Sequence, residues 1–268
     1  MRSVLLLWLP SALATRTLFL GNSYTYYNGG VEKYYASMVN AHRPADQIVT
    51  TEAIALPNYF LRQHVADGQP ASDGEWTHLV LQEQSQAPGF PASEPMHVAS
   101  KEACVQLATA AYINNGVRCF ILLQTWGRRD GDSQNPELFP DFQTMQSLLS
   151  AGYESLADEV RAALRAQASS SSSPSAAVDV RVAPAGEAFG VVLEADPELF
   201  RSLYHADGAH PSVAGSYLMA CVVTCTLHRE LKPEDLSTAS LPPELDEGVA
   251  QRLRDAASAA LEARHKPC

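Results

Sequence analysis

The chain has 268 residues, 46% of them hydrophobic and 18% charged, with a formal net charge of -11 at pH 7. That length and composition suit a globular domain able to bury a core without disulfide staples. The acidic balance argues against the basic face that a nucleic-acid-binding protein presents, and no apolar run is long enough to span a bilayer.

In chain order, the first segment reads as a secretory leader over residues 1–14. Arg2 supplies a minimal positive start, Val4 to Leu9 a short apolar core, and Ala12-Leu13-Ala14 a small-x-small cleavage pattern. A protein so led is secreted or resides in the endomembrane lumen; the alternative is a leader on a cytoplasmic protein. Residues 15–268 then read as one domain. Thr17 to Leu20 is the first expected strand and ends at Gly21. A helix is expected over Val31–His42, a strand over Gln47–Ile54, and a third strand over His78–Gln82, which ends in a polar cluster. A helix over Glu102–Asn114 precedes Arg118–Thr125, an almost wholly apolar run of the kind found in the middle of a parallel sheet. A long amphipathic helix follows over Phe142–Ala168, then a serine-rich surface loop at 169–175, a fifth strand over Val178–Ala183, and helices over Val213–Leu227 and Gly248–His265. This alternation predicts a three-layer α/β/α fold around a central, mostly parallel five-stranded sheet.

Four segments at expected strand ends carry polar chemistry, and ligands of open α/β sheets bind outside the carboxyl ends of the strands. The first is Gly21-Asn22-Ser23. A serine hydroxyl becomes a nucleophile when a base removes its proton, although a serine after Gly-Asn also suits an ordinary turn or helix cap. The last is Asp207-Gly208-Ala209-His210, whose spacing lets a carboxylate take the imidazole Nδ1–H and leaves Nε2 free as a base. His205 is a rival base without an aspartate three residues before it. Between them, Gln82, Glu83, Gln84 and Ser85 follow the third strand, where an amide can donate to an oxyanion. Asn58 lies in the loop after the second strand and tolerates a left-handed backbone.

Taken together, these segments resemble the SGNH (GDSL-like) hydrolase family. Gly21 to Ser23 is similar to the variant first block in which Gly-Asp-Ser becomes Gly-Asn-Ser. Ala206 to Leu218 resembles the last block, and Trp76 to Pro88 the third block of a branch with a glutamine-rich sequence. The resemblance runs from about Leu18 to Leu227. It implies ester hydrolysis without metal or organic cofactor, by a triad of Ser23, Asp207 and His210. It also implies an oxyanion hole from the Ser23 N–H, the Asn58 N–H and the Gln84 side-chain amide, with Gln82 as the fallback. Asn58 and Gln84 both depart from the usual pattern, a glycine and an asparagine respectively.

The implied substrate is a small-molecule or carbohydrate ester, including O-acetyl groups on a glycan, against which Trp126 and Tyr24 are candidate stacking surfaces. Two other readings use the same residues: a catalytically inactive glycan-binding relative, and an acyltransferase. The five cysteines, Cys104, Cys119, Cys221, Cys225 and Cys268, are too sparse and odd in number for a disulfide framework. Cys221, Cys225 and His228 have helical spacing, but they sit in an apolar run where cysteine acts as a small core residue and no fourth zinc ligand is evident.

Overall fold

A computed structural model describes residues 15–71, 74–170, 177–236 and 241–265. The leader at 1–14 and most of the serine-rich segment lie outside the described residues; Ser169 and Ser170 end a helix. Five strands form the sheet: β1 (Arg16–Gly21), β2 (Thr50–Ala55), β3 (His78–Leu81), β4 (Cys119–Leu123) and β5 (Asp179–Ala183). Their order is β2-β1-β3-β4-β5, and every pairing is parallel. The expected five-stranded α/β sheet is thus present.

Strand side chains alternate between the two faces, and the sequence supplies apolar residues to both. Leu18, Leu20, Leu79, Leu81, Phe120 and Leu122 enter one core cluster, while Phe19, Val80, Ile121 and Leu123 enter the other. Register keeps the layers aligned, with Phe19 beside Ala53 and Val80, and Val80 beside Ile121. Both faces need helical cover, which explains why β1 and β4 read as unbroken apolar runs.

The helices among the described residues are α1 (Ser23–Tyr26), α2 (Val31–Asn40), α3 (Leu61–Ala66), α4 (Pro95–Asn114), α5 (Phe142–Ser170), α6 (Ala185–Ala195), α7 (Pro197–Ser202), α8 (Val213–Leu227) and α9 (Glu247–His265). Leu61 of α3, Leu107 of α4 and Leu149 of α5 cover one face; Tyr35 of α2, Phe189 of α6, Met219 of α8 and Leu253 of α9 cover the other. Helix α8 is buried on nearly every side, which accounts for its lack of polar stripe. Helix α4 starts seven residues before the expected Glu102, at Pro95, because proline at the first helical position costs no hydrogen bond.

The strand order reverses direction between β1 and β3. A crevice opens above such a switch, where the connections leave to opposite faces. Ser23 follows β1, and Gln82 to Ser85 follow β3.

Candidate active site

Ser23 begins α1 two residues after β1 ends, and five hydrogen bonds fix the turn that carries it. Asn22 caps the helix: its Oδ1 accepts the Tyr24 N–H at 3.1 Å while its Nδ2 donates to the Tyr59 carbonyl at 2.9 Å. The Asn22 N–H and the Thr25 hydroxyl both donate to Gln82 Oε1, at 3.0 and 2.8 Å. The fully buried His64 donates from Nε2 to the Gly21 carbonyl at 2.9 Å. Burial lowers the His64 pKa, which keeps it a neutral structural donor. Gly21 leaves room for this knot: a Cβ there would sit 2.3 Å from Thr25 Oγ1 and 2.7 Å from Gln82 Oε1.

The segment before α8 forms a second tight turn. Asp207 Oδ1 accepts the backbone N–H groups of Ala209 and His210, each at 3.0 Å, an Asx-turn arrangement. Asp207 Oδ2 lies 2.5 Å from His210 Nδ1. Burial pushes the Asp207 carboxyl up, but the hydrogen bonds from the His210 ring and the two backbone groups outweigh it and hold it at about 2. Because Asp207 faces Nδ1, the imidazole proton sits there and Nε2 is left as an acceptor. His210 Nε2 lies 2.9 Å from Ser23 Oγ. The three side chains expected to act together are therefore joined in one hydrogen-bonded line.

Neighbouring elements hold the imidazole in place. The Tyr27 ring stacks on it, centroids 4.3 Å apart and planes at 15°. Trp126 Nε1 donates to the Ala209 carbonyl at 3.0 Å, and the Arg129 N–H to the Gly208 carbonyl at 2.8 Å. Asn28 Nδ2 donates to the Pro211 carbonyl and to Ser216 Oγ, both at 2.8 Å. His205, the rival base, packs edge-on against Tyr27 at 5.3 Å. No hydrogen bond among the described residues links it to Ser23.

A cavity of about 100 Å³ opens at Ser23 and His210, with Asn58, Gln84, Tyr24 and Arg128 also in its wall. Asn58 has φ of +59°, the left-handed conformation its side chain tolerates. No hydrogen bond among the described residues engages its N–H. Gln84 Oε1 accepts the N–H groups of Gln86 and Ala87 at 2.9 and 3.1 Å, so that side chain is held with its amide donors uncommitted. Gln82 is different. Its oxygen serves the turn that carries Ser23 and its Nε2 donates to the Glu83 carbonyl, so one of the fallback's two amide N–H donors is already engaged.

Trp126 and Tyr24 do not form a sugar platform. Their rings stack on each other at 4.5 Å, Trp126 stacks on Phe189 at 4.7 Å, and both are buried. Cys221 and Cys225 are buried in α8 as free thiols, and burial pushes both well up. His228 bonds instead to Tyr35 and Arg43. Sequence reasoning missed Arg128, whose Nη1 pairs with the buried Asp132 at 2.5 Å. It follows β4 as the other site loops follow their strands, and that shared position was the available signal. It also missed the structural roles of His64 and Tyr27, which no local pattern announces.

No family model matches the chain, and no curated protein matches it in sequence. Solved structures do match in shape. A protein of the DUF4886 family from Bacteroides uniformis superposes with a TM-score of 0.68 at 14% identity, over 95% of this chain and 97% of that one. A putative GDSL-like lipase from Parabacteroides merdae gives 0.53 at 14% identity, over 79% of this chain and 95% of its own. An acetylxylan esterase from Geobacillus stearothermophilus, solved as a catalytic mutant, gives 0.52 at 14%, over 81% and 95%. With its five parallel strands, their order and their helical cover, this chain has the three-layer α/β fold of the SGNH hydrolases.

Proposed function

We propose that the protein is a serine esterase that hydrolyses carboxylic esters, with Ser23 as nucleophile, His210 as general base and Asp207 as the group that orients it. The observation that carries this reading is the 2.9 Å contact from His210 Nε2 to Ser23 Oγ, backed by the 2.5 Å contact from Nδ1 to Asp207. Ser23 Oγ attacks the ester carbonyl carbon while His210 Nε2 takes its proton, and the carbonyl π pair moves onto oxygen. The Ser23 N–H, the Asn58 N–H and the Gln84 amide donate to that oxyanion. Collapse of the tetrahedral centre breaks the bond to the alcohol, which leaves with the proton from His210. Water then repeats the sequence on the acyl-serine and releases the acid. Asp207 stays ionised and stabilises the imidazolium in both halves.

The substrate reading is a short acyl group, O-acetyl on a carbohydrate foremost. The cavity of about 100 Å³ is small against the roughly 300–1,000 Å³ of pockets that enclose drug-sized ligands. A secretory leader would bring such an enzyme to glycans. One of the solved structures that match this fold is an acetylxylan esterase, which fits the same reading.

Labelling with a fluorophosphonate probe, together with hydrolysis of aryl esters of increasing acyl length, tests the proposal. Wild type is expected to be labelled and to favour acetyl over octanoyl esters. Ser23→Ala should abolish labelling and lower kcat by roughly 10⁴-fold or more. A wild-type chain that is neither labelled nor active on acetyl esters refutes the esterase reading and leaves a glycan-binding role. Product analysis with a second alcohol present separates hydrolysis from acyl transfer.

A further inference from the structure

Glu83, in the segment after β3, takes no part in the mechanism above. It is buried at 1% exposure. Its Oε1 accepts two backbone N–H groups, from Leu61 at 3.0 Å and from Gln84 at 2.6 Å. Ser100 and Arg62 lie beside the carboxyl. A carboxylate so deep in a core is costly unless its oxygens are partnered, and an apolar side chain would fill the same space without that cost.

The sheet order shows what the carboxylate achieves. Asn58 follows β2 and Gln84 follows β3, and β1 lies between those strands. No ladder hydrogen bond can join them, because neighbouring strands are about 4.8 Å apart and these two are separated by about twice that. Leu61 opens α3, three residues beyond Asn58, and Gln84 is the other side of the gap. Glu83 spans the two loops from a single oxygen.

We infer that Glu83 is a positioning residue for this site: by accepting the Leu61 and Gln84 N–H groups at one oxygen, it fixes the separation of the Asn58 and Gln84 donors that face the oxyanion. The inference rests on the esterase reading above. It assigns the three consecutive side chains distinct tasks: Gln82 ties down the nucleophile turn, Glu83 ties the two donor loops together, and Gln84 donates. The task of Glu83 depends on reach and on an accepting oxygen, not on charge. Donors misplaced at the oxyanion weaken transition-state binding and leave ground-state binding nearly intact.

Two conservative variants of the full chain test this, assayed on an acetyl aryl ester with thermal unfolding as a check on folding. Glu83→Gln keeps an accepting oxygen at the same reach, and its kcat should stay within about threefold of wild type. Glu83→Asp keeps the charge but is shorter by about 1.5 Å and cannot reach both N–H groups. Its kcat should fall about 30- to 100-fold, with KM changed by less than about threefold. The reverse order, Asp active and Gln impaired, would mean that charge matters rather than reach and would overturn the inference. So would an unimpaired Glu83→Asp, or a loss that appears in KM instead of kcat. An inactive wild type would sink the esterase reading and this inference with it, whereas an active wild type with an unimpaired Glu83→Asp sinks this inference alone.

Discussion

Asn22 presents both a donor and an acceptor, and the nucleophile turn uses each. An aspartate there would keep the cap on Tyr24 but set a carboxylate oxygen against the Tyr59 carbonyl, where Asn22 Nδ2 now donates. Asn22→Asp is therefore expected to cost about 1–3 kcal/mol, read as a lower midpoint in denaturant unfolding. Asp207 is held in its charged form. With its carboxyl held at about 2, it remains ionised on mild acidification. Because its pKa is depressed, its contribution to the fold is present above the ordinary carboxylate range and is lost as pH falls through about 2. If Asp207 orients the imidazole as proposed, Asp207→Asn should lower kcat by roughly 10³- to 10⁴-fold in initial-rate assays. A variant close to wild type would contradict that orienting role. The hydrogen-bonded line of Ser23, His210 and Asp207 was legible in the sequence because each sits in a short local pattern. The capture of the Gln82 oxygen by the Gly21–Thr25 turn was not, since it depends on pairing across the sheet.

At the scale of elements, strands were easier to read than helices. Each expected strand exists, and its ends shift by a few residues, as Gln47–Ile54 does to Thr50–Ala55. Helix α6 went unread because Gly186 and Gly190 weaken its local propensity. Gly186 is there for packing, since a Cβ would fall 2.4 Å from the Thr125 carbonyl, whereas at Gly190 it would meet only Phe142 at 3.7 Å. Short α1 and α3 went unread for another reason: their local bonds from Asn22 and Gln63 are completed by side chains from elsewhere, Gln82 and Glu83. Gly21 shows how little slack the β1–α1 junction has. Gly21→Ala must push aside both Thr25 Oγ1 and Gln82 Oε1, and it should reduce both fluorophosphonate labelling and thermal stability, the latter by about 1–3 kcal/mol. Normal labelling in that variant would show that the turn tolerates displacement of Gln82.

For the whole molecule, the N-terminal end of β3, away from the site, carries a second polar cluster. His228 bonds to Tyr35 at 2.9 Å, and the His78 ring lies 6.4 Å from it. Burial, with the cationic neighbours His228, Arg181 and Arg43, lowers the His78 pKa to about 4. An unfolded histidine takes up a proton near its ordinary 6.5, so stability is full above that pH and declines as pH falls towards 4. The loss amounts to roughly 3 kcal/mol at most. Melting temperatures measured from pH 7 to pH 4 should fall more steeply for wild type than for His78→Gln. Parallel slopes would remove His78 as a contributor. This cluster was not legible either, because its members come from α2, β3 and the end of α8.

The line from Ser23 to His210 joins residues 187 positions apart. That contact cannot form until β1 has paired with β3 and α8 has settled against α2. If the proposed mechanism holds, the N-terminal third leaves the ribosome chemically inert, and ester turnover would report completed folding. In a refolding experiment, recovery of catalysis should coincide with the last step of tertiary closure and never precede it.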